Sequence, residues 1–184
     1  MRRVINNLRI LGCEVMNLLE NKNDLEVRKA NTGDALKLSD FIRKLDSENQ
    51  YLLYDADERD NSASTSEKFI NRMNETYPSV IFIAINPEHD IVGFVCGEVS
   101  QLRRFRHVMK VNIGILKKYY NLGLGRLLAD TLQNYANECS IVRIEASVIS
   151  KNKASLNLCS KFGLEIEGIK KHALKINELF FDEI

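Results

Sequence analysis

Gly123 and Gly125 stand between a run of alternating β-branched residues and a run of helical periodicity, a placement that suits anion binding. Before them, Val111, Ile113 and Ile115 alternate with Asn112, Gly114 and Leu116, which reads as a strand. After them, Leu124, Leu127, Leu128, Leu132 and Tyr135 recur at three- and four-residue steps, the apolar stripe of a helix. A strand that feeds a helix through glycines leaves the first N–H groups of that helix unpaired. The positive end of the helix dipole adds to them, so the Leu122–Arg126 segment suits a phosphate or pyrophosphate. Glycine matters because a Cβ there would hold the anion away from the backbone.

Three rivals compete for this pattern. A Walker loop needs Lys-Ser/Thr after its glycines, and Arg126-Leu127 follows here, so that reading fails. A dinucleotide fingerprint needs a small residue where Leu128 stands and a turn directly after the strand, whereas Lys117 to Leu122 intervene. Glu145 does lie where that motif wants its ribose-binding acid, which keeps nicotinamide-cofactor binding as a minor reading. The third is a plain glycine-containing turn.

Longer stretches separate these readings. Tyr120-Asn-Leu-Gly-Leu-Gly125 resembles the Gln/Arg-x-x-Gly-x-Gly/Ala acetyl-CoA signature of the GNAT superfamily of N-acetyltransferases, and Ile113 to Tyr120 resembles the strand and lead-in before it. Asn152 to Leu164 is similar to that family's Asn-x-x-Ala/Ser-x-x-Leu-Tyr-x-Lys-x-Gly-Phe segment, and Glu165 to Ile184 resembles its last two strands. The resemblance covers roughly residues 25 to 184. There are two departures: Tyr120 stands where the family usually has Gln or Arg, and Cys159 where many members carry a tyrosine that protonates the leaving thiolate.

The resemblance implies direct transfer of an acetyl group from acetyl-CoA, as cosubstrate and without a metal, to a primary amine on a small molecule or protein N-terminus. It implies that the strands Val111–Leu116 and Ile141–Val148 splay apart, so that pantetheine pairs with the freed edge near Ile115 and Lys117. An N–H near Ile115 or Leu116 would face the thioester oxygen. The pyrophosphate would rest on the amides of Asn121, Leu122, Gly123, Leu124, Gly125 and Arg126, beside Tyr120, with Asn152 and Ser155 toward pantetheine. The amine must lose a proton, and His107, Glu98 and Glu145 compete for that task. Glu145 shares a strand face with Arg143, so an ion pair explains it equally. Cys159 either replaces the missing tyrosine as proton donor or is a small core residue; in the second case solvent, Tyr119 or Tyr120 supplies the proton. The alternative function is a non-catalytic acyl-CoA binding or sensing module. The cluster Asp55, Asp57, Glu58 and Asp60 is either an acidic border favouring a cationic acceptor or a solvated loop.

Composition is ordinary for a soluble globular protein. The chain has 184 residues, 45% hydrophobic and 28% charged, one domain by size. A net charge of +1 gives no reason to expect nucleic acid, and no apolar run is long enough for a membrane span. Cys13, Cys96, Cys139 and Cys159 are scattered without metal spacing, which predicts free thiols in a reducing cytoplasm.

The elements that must position these residues follow in order. Residues 1–24 read as an N-terminal extension, a short helix or partly ordered arm, with Met16 an alternative start; residues 25–184 read as the acetyltransferase domain. Leu25–Arg28 is a strand, and Asn31-Thr-Gly-Asp34 caps a helix buried through Ala35, Leu38, Phe41, Ile42 and Leu45. Ser64-Thr-Ser-Glu67 reads as a capping box for a second helix carrying Phe69, Ile70 and Met73 inward. Strands are expected at 79–86 and 91–101, then at 111–116 and, after the glycine helix, at 141–148 with Val142, Ile144, Ala146 and Val148 on one face. Asn152–Phe162 is a helix ended by a left-handed Gly163, and two strands follow. The expected fold is a single α/β (α+β) domain. Its mixed, mostly antiparallel central sheet has six to seven strands, with helices on both faces. A homodimer is left open.

Overall fold

The computed structural model describes residues 2–4, 25–48, 51, 54 and 58–184, of which 2–4 by backbone path. Cys13, Met16, Asp55 and Asp57 lie outside the described residues. The strands are β1 (Arg2–Val4), β2 (Glu26–Lys29), β3 (Val80–Ile85), β4 (Ile91–Val99), β5 (Val108–Ile115), β6 (Arg143–Glu145), β7 (Lys170–Ile176) and β8 (Leu179–Glu183). The α-helices are α1 (Ala35–Glu48), α2 (Ala63–Glu75), α3 (Leu124–Glu138) and α4 (Lys153–Lys161). Six strands form one sheet in the order β1-β6-β5-β4-β3-β2, and β7 pairs β8 in a separate hairpin. Neighbours in the large sheet are antiparallel except β5 and β6, which run parallel. This is the mixed, mostly antiparallel sheet that the sequence predicts.

β3 is buried at all six positions, as expected of a central strand covered on both faces. On one face Leu38, Phe41 and Leu45 of α1 and Ile70 and Met73 of α2 pack on Ile81 and Ile83. On the other, Leu124, Leu128, Leu132 and Ala136 of α3 pack on Phe82, Val95 and Met109. Burying side chains of this size contributes about 1.5–3 kcal/mol each. The lead-in to α1 is held by a capping box: Asn31 accepts from the Gly33 N–H (2.9 Å), and Asp34 accepts from the Asn31 N–H (2.9 Å). Asp34 also takes the Arg28 guanidinium fork at 2.7 and 2.8 Å, tying β2 to α1. That fork, more than any other contact, holds the Asp34 carboxyl below its usual range.

Four expectations change. Arg2–Val4 forms a strand antiparallel to β6, with Arg2 opposite Glu145 and Val4 opposite Arg143, so these residues are neither helix nor arm. α2 starts at Ala63 under the cap of Ser62, whose hydroxyl accepts from the Thr65 N–H (3.2 Å); the expected Ser64–Glu67 box therefore lies inside the helix. The strand expected at 111–116 begins earlier, at Val108. The strand expected at 141–148 keeps only Arg143–Glu145, and Val142 is exposed where Val148 is buried. The chain leaves β5 there and is taken up by β8: Val148 and Ile184 exchange both N–H···O=C bonds at 2.8 Å, and Ser150 donates to Asp182 O at 2.9 Å.

Gly114 marks the tightest approach of helix to sheet at this point. A Cβ on it would lie 2.5 Å from Leu45 Cδ2 and 2.6 Å from Phe94 Cε1. Gly114→Ala is therefore expected to lose roughly 1–3 kcal/mol through overpacking. Gly168→Ala, whose Cβ meets nothing within 4 Å, should stay within about 0.5 kcal/mol of the parent. Urea unfolding of the two variants side by side checks the contrast.

Candidate active site

The glycine turn is built from two left-handed residues. Asn121 (φ 60°) and Gly123 (φ 86°) bracket Leu122, an alternation that turns successive N–H groups toward one concave side. Asparagine tolerates this conformation through its short polar side chain, and glycine has no Cβ to oppose it. The first intrahelical bond of α3 runs from Leu127 N–H to Gly123 O (3.1 Å), so the amides of Leu124, Gly125 and Arg126 have no acceptor in the helix. No side chain caps α3 and no acidic residue occupies its first turn. The starts of the other three α-helices differ: Asn31, Ser62 and Asn152 each accept from an amide there. A cap is worth about 1 kcal/mol, and α3 forgoes it.

The two glycines do different work. Gly123 is demanded by its backbone conformation, and a Cβ there would face open space. At Gly125 a Cβ would meet Ile115 Cδ1 and Leu158 Cδ2 at 3.4 Å, ordinary contact distance. Packing therefore does not demand a glycine at Gly125, whose Cβ position faces β5 and α4.

β5 and β6 hold register only from Val108/Arg143 to Lys110/Glu145 and then separate. Leu116 N–H donates to Val92 O (3.1 Å), and alternation along the antiparallel pair points the amides of Asn112 and Gly114 to β4 as well. The amides of Ile113 and Ile115 consequently face the opening. This corrects the expected role of Leu116, whose amide is spent on β4. Lys117 is corrected too: its N–H donates to Glu48 Oε2 (2.8 Å), a carboxylate at the end of α1. Tyr120 is half-buried, and burial, then the Glu48 charge, raises its phenol above the ordinary value. Tyr119 is held by Asn86, whose Nδ2 donates to its hydroxyl at 3.2 Å.

A cavity of about 640 Å³ runs through this opening. Leu45, Phe69, Phe94, Cys96 and Glu98 line it from the α1/α2 face, and Leu132, Asn152, Ser155, Leu158 and Cys159 from the α3/α4 face. Asn152 spends its Oδ1 on capping α4 at the Ser155 N–H (3.1 Å) and keeps its Nδ2 as a donor. Glu98 pairs with Arg72 of α2, which also lines the cavity.

His107 is not brought to the cavity. It is exposed at the closed end of β5, where its carbonyl accepts from Val142 and Arg143 (3.0 Å each). Val111 lies four positions further on, about 13 Å along a strand. Glu145 is an ion-pair partner: Arg143 bonds it through Nε at 2.6 Å and also bonds Glu167. Asp60 is consumed at the start of α2, accepting from Ser62 and Thr65, and the Thr65 contact foremost lowers its pKa. Asp46 is buried under Arg59, whose Nε donates at 2.8 Å. The described part of the connection thus offers the cavity one paired arginine, Arg59, as well as the Asp60 carboxylate.

The geometry has counterparts among known proteins. Residues 28–184 match the acetyltransferase (GNAT) domain family. The chain belongs to the GNAT acetyltransferases. This GNAT chain is 32% identical over 91 residues to the L-amino acid N-acetyltransferase AaaT of Escherichia coli, a match spanning 48% of the chain and 56% of that relative. Its fold superposes with a TM-score of 0.82 on a GNAT-family acetyltransferase from Streptococcus pneumoniae, at 29% identity over 87% of this chain and 96% of that one. The yncA protein of Salmonella typhimurium, solved with its cofactor acetyl-CoA, shares the fold at a TM-score of 0.75, with 15% identity over 88% and 91% of the two chains.

Sequence reasoning missed Arg59, Arg72, Asn112 and Glu48. Asn112 stood in the quoted strand run but was counted only for its alternation. The others sit on helices and the connection between them, where spacing carries no signal for what they meet across the fold.

Cys159 is buried against α4's neighbours, and burial raises its thiol above the ordinary cysteine value, so it stays protonated at neutral pH. A donor with a raised pKa is a poor acid for a leaving thiolate. Cys159→Ala is expected to leave turnover within twofold of the parent while losing about 1 kcal/mol of stability to the small void. Initial rates and a thermal melt on the same preparation check both halves.

Proposed function

We propose that this chain moves an acetyl group from acetyl-CoA directly to a primary amine within a ternary complex. The observation that carries the reading is the cavity through the sheet, which runs from Ala129, Leu132 and Gln133 of α3 on one side to Glu98 on the other, beside a helix whose first amides are uncapped. We place the transferase domain at residues 25–184, with 1–24 preceding it. Acetyl-CoA supplies the activated thioester. The yncA protein's cofactor and the family membership support that choice. The amides of Asn121 to Arg126 would hold the pyrophosphate by main-chain donors and the helix dipole. The free edge of β5 at Ile113 and Ile115 would take pantetheine as a strand takes its neighbour. Asn152 Nδ2 and the Ser155 hydroxyl stand along the same wall.

An N–H of Ile113 or Ile115 is the donor left to face a developing oxyanion. The amine nitrogen bonds to the thioester carbonyl carbon, the carbon–sulfur bond breaks, and CoA departs as thiolate, which takes its proton from solvent, Tyr119 or Tyr120. The proton lost by the amine goes to Glu98. Glu98 lies opposite Lys110, three residues from Ile113, about 10 Å along the strand, so the transfer runs through water. The acceptor is a small-molecule amine or a protein N-terminus. The name of the E. coli relative makes an amino acid the first acceptor to try.

Saturating acetyl-CoA should raise the melting temperature. A hundredfold excess over Kd adds about 2.7 kcal/mol, roughly 5–10 °C for a chain of this length. In an assay of CoA release over an amine panel, Glu98→Gln should slow turnover by about 10²–10⁴, whereas His107→Ala should leave it unchanged. Thermal stabilisation without CoA release on any amine would reject the enzyme in favour of an acyl-CoA binding module. No stabilisation at all would reject both.

Placing alanine at Gly123 forces a Cβ into a left-handed residue at about 1–2 kcal/mol. Gly123→Ala should therefore weaken acetyl-CoA binding by roughly tenfold, read by calorimetry, while Gly125→Ala stays close to the parent.

A further inference from the structure

The arginines divide by their partners. Outside the turn between β4 and β5, every arginine whose side chain is described stands beside a carboxylate. Arg28 meets Asp34, Arg43 meets Asp40 and Arg59 meets Asp46; Arg72 meets Glu98, Arg126 meets Asp130 and Arg143 meets Glu167. The turn holds the others, Arg103, Arg104 and Arg106. Arg103 and Arg104 have no partner among the described residues, and Arg106 donates only to the Gln101 carbonyl (3.2 Å).

From Ser100 to His107 the turn is exposed throughout, yet its backbone is bonded to itself. Phe105 N–H donates to Leu102 O (2.8 Å) and Val108 N–H to Phe105 O (3.0 Å), one tight turn after another. Gln101 Nε2 also reaches the Tyr77 carbonyl (3.3 Å). Three large apolar side chains stand out from this frame: Leu102 is 66% exposed, Phe105 55% and Tyr77 70%. None of residues 100–107 lines the cavity.

We propose that the β4–β5 turn is a docking surface for an acidic protein segment. Carboxylates of the segment meet Arg103, Arg104 and Arg106, and an apolar side chain of it rests among Leu102, Phe105 and Tyr77. The surface stands apart from the acetyl-transfer reading. A guanidinium fork matches a carboxylate in two parallel bonds. Arginine beside exposed aromatic rings is the composition in which binding energy concentrates. A turn that is already bonded has little left to order when a partner arrives. Charge balance decides between a short segment and an extended polyanion. A bilayer or a nucleic acid meets a whole face of the molecule, and 26 basic against 25 acidic residues leave little net field to attract one. Screening over about 8 Å confines a short segment to its immediate neighbours. At the turn these are three guanidinium groups within four positions.

The test uses a fluorescent octapeptide, Asp-Glu-Phe-Asp-Glu-Leu-Asp-Glu, and reads its anisotropy on the full chain. Octaglutamate, a uridine dodecanucleotide and vesicles of phosphatidylcholine with phosphatidylserine serve as the competing probes. The peptide should bind at least tenfold more tightly than octaglutamate, which leaves the apolar side chains uncovered. Arg103→Gln with Arg104→Gln should weaken it by about tenfold, and Phe105→Ala by a similar factor. Lys44→Gln, which removes an exposed charge on α1, should change it by less than twofold. Thermal melts of the same preparations report that the variants are folded, and the four probes on the parent decide even where one is not. Unchanged affinity in the double variant overturns the proposal, as does an absence of peptide binding to the parent. Tighter binding of the dodecanucleotide or the vesicles overturns it in favour of an extended polyanion. Displacement of the peptide by acetyl-CoA would put the peptide in the cavity and also overturn it. Failure of acetyl-CoA to bind rejects the transferase and leaves the peptide result standing.

Discussion

The parting of β5 from β6 is the constraint on which the site depends. Two parallel neighbours that hold register for three residues would, left to the ladder, continue to pair. They do not, because the chain after Glu145 is claimed elsewhere. Val148 is bonded both ways to Ile184, and Ser150 reaches Asp182, so the hairpin β7–β8 draws this segment off the sheet. Backbone N–H and C=O groups of Ile113, at the cavity wall, and of Ile115 beyond it are thereby left without a strand partner among the described residues. Such groups cost free energy unless something bonds them. A fold that keeps them open favours an extended, amide-bearing ligand over water, and the same parting joins the two faces of the sheet.

The second open set of donors lies at α3. Its first amides are uncapped, its first turn holds no acid, and its entry is bent by two left-handed residues. Each feature is mildly unfavourable alone, at about a kilocalorie per mole. The apolar stripe Leu124, Leu128, Leu132 and Ala136, fully sunk against β3, β4 and β5, outweighs them. The core therefore carries the cost of a helix end whose first amides are left uncapped.

How far this was legible in the sequence depends on the range of the forces involved. Local effects were readable. The α3 stripe, the Asn31 cap, the left-handed Gly163 and the glycine turn all depend on residues within one helical turn of each other. Where two local rules competed, the nearer cap won: Ser62, backed by Asp60, starts α2 before the Ser64–Glu67 pattern can. Long-range effects were not readable. Val142 to Val148 alternates well enough for a strand, yet the partner that would have kept it straight is replaced by β8. His107 has a suitable ring, but only the register of β5 with β6 reveals that it sits at the closed end. Arg72 carries no signal on its own helix, because its partner Glu98 comes from β4, 26 residues away.

Glu48 shows how the two halves of the site communicate. It ends α1, the helix whose Leu38, Ile42 and Leu45 line the cavity, and its carboxylate receives the Lys117 N–H at the entry to the glycine turn. One hydrogen bond thus ties the cavity wall to the glycine turn, across a sequence separation of 69 residues. A carboxylate that close also sets a limit on the anion it neighbours. Like charges repel, so a pyrophosphate on the amides of Leu124 to Arg126 must sit beyond the reach of Glu48 or push it aside. Arg126, exposed and held only loosely to Asp130 at 3.5 Å, is the cation available to offset that repulsion. On the proposed reading the cradle works by position more than by net charge: main-chain donors hold the anion, and the Glu48 carboxylate is kept occupied by an amide of the preceding turn.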